Sequence, residues 1–453
     1  MRKTHLGMVG GVVAAALSFS MIPATAADAP GLVPKSSWNS GKSEITIGLE
    51  QPMTGPFAVI GISYNNSLQI IADQINAAGG IGGAQIKIKA LDDGLNPVKA
   101  VANTKELAGD PNVVMVVGPS ISSFYAAAAP ALEAAKMVNC NPGVAALNFG
   151  DYKYGFRSQD FYKDDIDAMF SELQRRGVVS LGMIYEPGAT GTFYNDYMTQ
   201  VAPLYKIAYL GWQQVSGTAT SHNAQMANFL GASAVWISNS SLGALTAKAA
   251  KALNYKGLIV GGSGLQGIGY TEAGGLDFAG TLFAAPNYQY PVRDRSTWKP
   301  GYKIHTDAIV AKYGINVGAN YGGTSPKGAA IAADCIYAYA VAANKVQSFD
   351  SDKVAAAMGS LDIPASMTPS GIRIHPGPEH NFYHQDGISL YQWKHDAKGW
   401  YTIEINKGVI KVVKAKAVVA KKGQACTKVG SKAKDAKKKT LVCKKIRGKF
   451  IWQ

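Results

Sequence analysis

Charge and cysteine are both scarce in this 453-residue chain: Asp, Glu, Lys and Arg make up 17% of it, and only four residues are Cys. Together with 47% apolar residues, that low charge excludes an intrinsically disordered chain and allows a full-sized core. The sequence has no G-x-S-x-G nucleophile elbow, no H-E-x-x-H zinc motif and no metal-site spacing of its cysteines. We therefore predict a protein that is not an enzyme and holds no metal or cofactor.

The formal charge of +15 is concentrated at the C-terminus. Residues 421–453 hold 12 of the 45 basic residues and one acid, whereas residues 28–420 are nearly neutral. The sequence thus predicts no nucleic-acid partner for the body of the protein. The basic tail, 409–453, has two readings that stay open: electrostatic attachment to anionic cell-envelope polymers or lipid headgroups, or a solvated appendage.

The N-terminus has the pattern of a secretory signal peptide, 1–26, followed by a Pro-, Ser- and Gly-rich linker, 27–43. Arg2 and Lys3 precede an apolar stretch that ends in small residues suited to signal peptidase. The alternative is an N-terminal membrane anchor, but the apolar stretch is short and contains Gly and Ser. No Cys follows it, so we expect a secreted or periplasmic, envelope-associated protein that is not a lipoprotein.

An even number of cysteines in an exported protein suggests disulfide pairing. Cys426 and Cys443 flank a polar, Lys-rich segment, and we predict that they form a local disulfide. Cys140 lies at the end of a predicted strand, and Cys335 lies in an Ala-rich predicted helix. We expect these two to be buried free thiols rather than a bridge.

Strand and helix patterns alternate regularly from residue 45 to 140, restart after residue 160, and give way to antiparallel signals after residue 372. Such alternation is typical of an α/β protein with parallel sheets covered by helices. Two successive α/β halves of similar build are therefore predicted. The region 285–320 is expected to be irregular.

Several motifs follow one another in order along this chain. They are Pro52-Met53-Thr54-Gly55-Pro56-Phe57-Ala58, Ile75-Asn76-Ala77-Ala78-Gly79-Gly80-Ile81-Gly82-Gly83, Asp92-Asp93, Asn96-Pro97, Val117-Gly118-Pro119, Tyr154-Gly155-Phe156-Arg157 and Leu390-Tyr391-Gln392-Trp393. Together they resemble the motifs of the substrate-binding proteins of branched-chain amino acid ABC transporters. The resemblance spans about residues 44–405. It implies a type I periplasmic binding fold, in which two Rossmann-like lobes joined by three hinge crossings close over a small ligand.

The implied lobes are each discontinuous in sequence. Lobe 1 would comprise 44–160 and 286–368, and lobe 2 would comprise 161–285 and 369–408. We place the hinge crossings near 158–162, 284–288 and 365–372.

Two turns of lobe 1 are candidates for gripping a ligand carboxylate. Ser122 and Ser123 follow a strand and precede a helix, where hydroxyls and backbone N–H groups suit an anion, although simple helix capping is the alternative. In the resembling family this turn and a second one hold the ligand carboxylate. The second turn matches Gly143 and Ala145, where Ala145 replaces the usual hydroxyl residue and backbone contact at Gly143 survives.

Lobe 2 departs further from the family. Thr190 stands where the amino acid binders have a Tyr, and Ser263 stands where they have the acid that pairs with the ligand ammonium. Burying an unpaired ammonium costs several kcal/mol. An ordinary α-amino acid is therefore doubtful as the ligand, and a carboxylate, amide or other small polar molecule fits better, although Glu186 is an alternative source of charge.

Two further patterns favour a structural interpretation. Gly262 to Gly267 spells G-x-G-x-x-G after a strand, but a turn at the cleft edge is favoured over a dinucleotide site. His375, His380 and His384 lie near Glu379 and Asp386, where surface-loop histidines are favoured over a metal site.

The resemblance implies an extracytoplasmic solute-binding protein that captures a small polar organic ligand by lobe closure and delivers it to the permease subunits of an ABC transporter. The alternatives are a secreted enzyme that uses the same cleft and a ligand-sensing receptor component. Turnover of a ligand would favour the first alternative, and a signalling partner without a permease would favour the second.

Overall fold

The computed structural model describes residues 33–55, 58–143, 147–238, 242–266, 271, 273–286, 295–314, 326–406, 432–434, 440–446 and 449–452. Several predictions lie wholly or partly outside these ranges, among them the signal peptide, the start of the linker, the role of Ala145, the pairing of Cys426 and much of the basic tail. None of the helices in the described ranges combines the length and apolar character needed to cross a membrane.

The strands form two main sheets and a small one. They are β1 (Glu44–Gln51), β2 (Gln85–Asp92), β3 (Val113–Val117), β4 (Asn139–Asn141), β5 (Gly155–Arg157), β6 (Ser180–Tyr185), β7 (Ala208–Gln214), β8 (Ala234–Ile237), β9 (Leu258–Gly261), β10 (Leu282–Pro286), β11 (Ile388–Asp396), β12 (Gly399–Asn406), β13 (Lys432–Lys434), β14 (Thr440–Ile446) and β15 (Lys449–Trp452).

The α-helices cover the two main sheets. They are α1 (Ala58–Ala77), α2 (Pro97–Gly109), α3 (Ser122–Ala134), α4 (Tyr162–Arg175), α5 (Ala189–Val201), α6 (Asn223–Ala227), α7 (Leu242–Ala252), α8 (Pro300–Tyr313), α9 (Pro326–Val346) and α10 (Ser351–Gly359).

The first sheet has the order β2-β1-β3-β4-β5, and all of its strands are parallel. Its central strand β3 reads Val-Val-Met-Val-Val and is buried along its whole length, as expected for a strand covered on both faces. Helix α1 packs against α8 and α9, and α2 packs against α3. The helices on this sheet thus come from both before β6 and after β10, so the parallel part of the second sheet is inserted between them.

The second sheet has the order β12-β11-β10-β9-β8-β6-β7. Strands β6 to β10 run parallel, whereas β11 and β12 are antiparallel to their neighbours. Helix α4 packs against β10 and β11, and α5 packs against β7. The chain passes from the first sheet to the second immediately after Arg157, where β5 ends and α4 follows. The α/β architecture with two halves is therefore confirmed.

Helix α8 corrects the expectation that 285–320 is irregular. Pro300 occupies the first turn, where its missing N–H costs no hydrogen bond, and Gly314 ends the helix at a positive φ of 77°. Its buried face consists of Tyr302, His305 and Ile309, which have helical spacing. The helix escapes sequence detection because its buried face is largely polar and aromatic, so the apolar periodicity is weak.

A disulfide between Cys140 and Cys335 corrects the expectation of two free thiols. Their sulfur atoms are 2.02 Å apart and their Cα atoms 5.7 Å apart, although 195 residues separate them in sequence. The bond forms because α9 packs across the end of β4, which brings both buried cysteines together. Sequence spacing carries no information on such a tertiary contact.

The basic tail contains a small antiparallel sheet of order β13-β14-β15. Strand β14 pairs with β13 on one side and with β15 on the other. The predicted partner of Cys443, Cys426, lies outside the described residues, so that pairing stays a prediction.

Candidate functional site

A cavity of about 610 Å³ lies among loops that follow the carboxyl ends of parallel strands in both sheets. Ligands bind at such strand ends in open α/β sheets. The first sheet contributes residues that follow β1, β3 and β4, and the second contributes residues that follow β6, β8 and β9. Five of the six predicted ligand residues line this one cavity, namely Ser122, Ser123, Gly143, Thr190 and Ser263. Ligand contact by each of them stays a prediction.

The start of α3 lies at the cavity and begins without a side-chain cap. The residue before the helix is Ile121, which has extended backbone and provides no side-chain hydrogen bond to the first turn. Ser122 and Ser123 therefore belong to the first turn itself, and the alternative that they cap the helix does not apply. The positive end of the helix dipole and these hydroxyls make a suitable place for a carboxylate.

The turn that contains Gly143 packs tightly against the same segment. A Cβ at Gly143 would lie 2.7 Å from both the Cβ and the carbonyl oxygen of Ser120, so no side chain fits there without a shift. The Tyr64 hydroxyl donates to the Pro142 carbonyl at 3.1 Å and holds the turn from the other side. The preceding strand residue, Cys140, is tied to α9 by the disulfide.

On the second-sheet side, the loop from Tyr185 to Gly191 forms the cavity wall. Gly188 has a φ of 133°, which strongly favours glycine, and it directly precedes α5. A Cβ at Gly191 would lie 2.4 Å from the Glu186 carbonyl oxygen. Thr190 lies in the first turn of α5 and lines the cavity.

Ser263 joins two buried acids that the sequence did not indicate as site residues. Its hydroxyl donates to Asp160 Oδ2 at 2.6 Å, and its backbone N–H donates to Asp165 Oδ2 at 2.9 Å. Both carboxyls are fully buried. Burial raises the pKa of Asp165 well above its usual range, and the neighbouring Asp160 carboxyl raises it further.

A local signal for these acids exists in the sequence. Asp160, Asp164, Asp165 and Asp167 fall within eight residues of a body that is otherwise nearly neutral. A cluster of acids at the start of a helix is typical of a solvent-exposed surface, so the sequence alone does not distinguish these acids from surface residues. In the structure, Asp160 and Asp165 are buried and accept hydrogen bonds from Ser263.

The glycine pattern lies at the cavity: residues 263–266 form a 3₁₀ turn, and Ser263 and Gly264 line the cavity. His375 contacts the Asp386 carboxylate at 3.1 Å, whereas His380 stacks on Phe156 at a ring distance of 4.4 Å. Within the described ranges, no three His, Cys, Asp or Glu side chains have the geometry of a metal site.

Comparison with known proteins gives consistent matches. The family described as "Periplasmic binding protein" matches residues 44–399. Leu/Ile/Val-binding protein homolog 8 of Brucella suis biovar 1 (strain 1330) is 24% identical over 351 residues, which is 74% of this chain and 85% of that protein. Leu/Ile/Val-binding protein homolog 7 of Brucella abortus (strain 2308) is 24% identical over 345 residues, or 73% of this chain and 84% of the relative.

Solved structures share the fold at low identity. The type 1 periplasmic binding protein from Bordetella pertussis Tohama I aligns with a TM-score of 0.68 and 21% identity, over 80% of this chain and 100% of that one. The branched-chain amino acid transporter substrate-binding protein LivJ from Streptococcus pneumoniae, solved with isoleucine, aligns with a TM-score of 0.64 and 19% identity, over 80% of this chain and 99% of that one.

Proposed function

This chain belongs to the periplasmic binding protein family, and on that premise we propose that it is an extracytoplasmic solute-binding protein that delivers a small polar organic ligand to an ABC transporter permease. The observation that carries the proposal is the cavity of about 610 Å³, because both sheets contribute strand-end loops to it. The matched relatives are named as binding proteins, which favours capture over chemistry.

The proposed capture step is closure of two lobes about the chain crossings. We assign 44–160 and 286–368 to lobe 1, and 161–285 and 369–408 to lobe 2. Because the lobes would move as rigid bodies, a few backbone torsions in the crossings absorb the change. Gln159 belongs to the first crossing and lines the cavity, so ligand contact and hinge geometry are adjacent.

The ligand is proposed to be an amino acid or a related carboxylate or amide. Its carboxylate or carbonyl oxygen would accept hydrogen bonds from the first turn of α3, at Ser122 and Ser123. The names of the relatives, which refer to Leu, Ile and Val, support this class.

Thermal-shift screening of amino acids, carboxylates and amides tests the proposal. A compound that binds the folded state raises the melting temperature, and titration calorimetry then gives its affinity. We expect at least one compound to bind with a stoichiometry of one and not to be turned over. A full panel without any shift, or conversion of a bound compound to product, would overturn the proposed function.

A further inference from the structure

The chain between α10 and β11, residues 360–387, is bound along part of its length to the outer strand of the first sheet. The Arg157 N–H of β5 donates to the His380 carbonyl at 2.9 Å, and the Arg157 carbonyl accepts from the Phe382 N–H at 2.8 Å. The second sheet receives this chain only at Ile388, where β11 begins and pairs with β10. The segment therefore stays with the first-sheet half until shortly before β11.

A buried carboxylate on α9 fixes the same segment from inside the first-sheet half. Asp334 accepts hydrogen bonds from the Ser370 backbone N–H at 3.0 Å, from the Ser370 hydroxyl at 2.5 Å and from the Tyr383 hydroxyl at 2.8 Å. All three residues are fully buried. Because the segment is anchored as far as Tyr383, only residues 384–387, here called the linking stretch, remain between the two halves.

Charged side chains hold the linking stretch to the segment before it. Asp386 accepts hydrogen bonds from His375 Nε2 at 3.1 Å and from the Arg373 guanidinium at 3.3 Å. Arg373 is itself held by two hydrogen bonds to the Asp362 carboxylate, of 2.7 and 2.8 Å. The His384 ring packs edge-on against the His375 ring, with centroids 4.6 Å apart. The linking stretch thus carries an ion network at the place where the chain changes sheets.

His375 faces an acceptor with each of its ring nitrogens. Nε2 faces Asp386, and Nδ1 lies 3.5 Å from the Phe382 carbonyl oxygen. Only the protonated imidazole donates from both nitrogens. The hydrogen bond to Asp386 raises the pKa of His375 above its usual value, whereas burial and the neighbouring His375 lower the pKa of His384. Positive charge is therefore favoured on His375 rather than on His384.

The other charged groups that act on this histidine pair come from three places. Arg373, two residues before His375, disfavours its protonation because both charges are positive. Asp362, which follows α10, lies within electrostatic range of His375, and Glu379, from the turn before the linking stretch, lies within range of His384. Their signs oppose one another, so Asp386 is the dominant partner of His375.

We propose that the linking stretch is the third hinge crossing and that His375 and Asp386 form a pH-sensitive latch across it, which biases the equilibrium between open and closed lobes. The proposal rests on the proposed function and moves the start of lobe 2 in this part of the chain from residue 369 to residue 384. His375 and Asp386 are positioning residues, since neither lines the cavity. No covalent bond changes: a proton binds His375, and the ion pair to Asp386 strengthens.

The size of the effect follows from exposure. The side chain of Asp386 is 50% exposed and that of His375 is 21% exposed, so water screens their attraction. Such pairs shift an equilibrium by a modest factor, and we expect about two- to fivefold.

Histidine titration by NMR on the full chain without ligand is the first test. We expect the pKa of His375 to be higher in wild type than in Asp386→Asn, because the variant loses the negative partner. The same His375 pKa in both proteins overturns the latch.

Distances between the lobes are the second test, and they need no ligand. Spin labels at Val98→Cys in α2 and Val179→Cys before β6 occupy exposed positions, one in each half, while Cys426→Ser and Cys443→Ser keep the tail unlabelled. Pulsed electron paramagnetic resonance then gives the populations of short and long distances. We expect their ratio to change by about two- to fivefold between about pH 5.5 and about pH 8.5.

Variants assign that change to the latch. His375→Gln keeps a neutral donor, so its ratio should match wild type at about pH 8.5 and differ from it at about pH 5.5. Burial raises the pKa values of Asp334 and Asp164 to about 7, and any change that these groups cause persists in His375→Gln. His395→Gln, at an exposed position of β11, should behave as wild type. Equal pH dependence in wild type and His375→Gln overturns the proposal, as does a wild-type ratio that does not change with pH.

Ligand binding separates this proposal from the proposed function. Titration calorimetry uses L-leucine or, if leucine does not bind, the compound of the amino acid, carboxylate and amide panel that raises the melting temperature most. The affinity should change with pH by about two- to fivefold in wild type, and His375→Gln should lose this change. If a compound binds with the same pH dependence in both proteins, the latch alone has failed. If no compound binds, the proposed function has failed, and the distance measurements still decide on the latch.

Discussion

On the first-sheet side of the cavity the groups are hydroxyls and backbone N–H groups at the start of α3, whereas on the second-sheet side a serine lies over two buried carboxyls. The first side favours a ligand oxygen and the second favours a ligand donor. The two sides also differ in how they are held. The turn at Gly143 is anchored by a disulfide and close packing, but Ser263 is anchored by hydrogen bonds to two buried acids.

The first-sheet side is thus fixed by covalent and packing contacts, whereas the second-sheet side depends on hydrogen bonds to buried carboxyls. Removing an anchor from the first side should lower stability or distort the turn. Removing a carboxyl from the second side should change which ligand is preferred.

The largest effect is expected from removing the disulfide. The double variant Cys140→Ser, Cys335→Ser should lower the free energy of unfolding by about 2 to 5 kcal/mol, because the unfolded chain loses its cross-link. Chemical denaturation followed by circular dichroism measures the change. Ser158→Ala is the matched control, since it removes the hydroxyl 3.1 Å from the Cys335 sulfur and keeps the bond. Equal stability of the double variant and wild type would show that packing alone joins β4 to α9.

A smaller effect is expected at Gly143. Gly143→Ala places a Cβ 2.7 Å from Ser120, and such overpacking typically costs about 1 to 3 kcal/mol. Because the turn forms part of the cavity, we expect both the melting temperature and the ligand affinity to fall. Gly109→Ala, at a position with open space around the added Cβ, should change neither by a comparable amount. An alanine variant that binds as wild type does would place the ligand away from this turn.

The effect of Ser122→Ala should be confined to binding. We expect the affinity for the ligand found by screening to fall by about 1 to 3 kcal/mol, the cost of leaving a buried ligand acceptor without its donor. The melting temperature without ligand should stay near that of wild type, since the side chain of Ser122 does not cap α3. Wild-type affinity in titration calorimetry would count against a carboxylate site at this helix start.

The two sides of the cavity also differ in how far the sequence predicts them. Ser122, Ser123 and Gly143 follow strands that have clear apolar runs. The local pattern and the family resemblance therefore both predict that these residues lie together at one edge of the sheet. Ser263 is indicated by the resemblance alone, and the acids that it contacts lie 103 and 98 residues away in sequence. Such contacts depend on tertiary packing, which local strand and helix patterns do not predict.

The same reason explains the other differences between prediction and structure. The alternation of strands and helices predicted the α/β halves, because each pattern is local. The pairing of Cys140 with Cys335 depends on α9 crossing the end of β4, which no spacing in the chain encodes. Helix α8 was missed because its buried face includes Tyr302 and His305 rather than an apolar stripe.

The smallest effect on ligand binding is expected from removing the basic tail. This truncation tests whether the charge of the tail affects adsorption to anionic surfaces without affecting ligand binding in the body of the protein. Residues 421–453 carry 12 basic residues and one acid, while the body is nearly neutral. Truncation before residue 421 should therefore leave ligand affinity unchanged and abolish adsorption to isolated cell walls. Adsorption of the full chain should fade as salt rises, because exposed charges are screened beyond about 8 Å at physiological ionic strength. A truncated protein that still pellets with cell walls at low salt, at equal yield, would show that the tail is a solvated appendage and that any envelope contact belongs to the lobes.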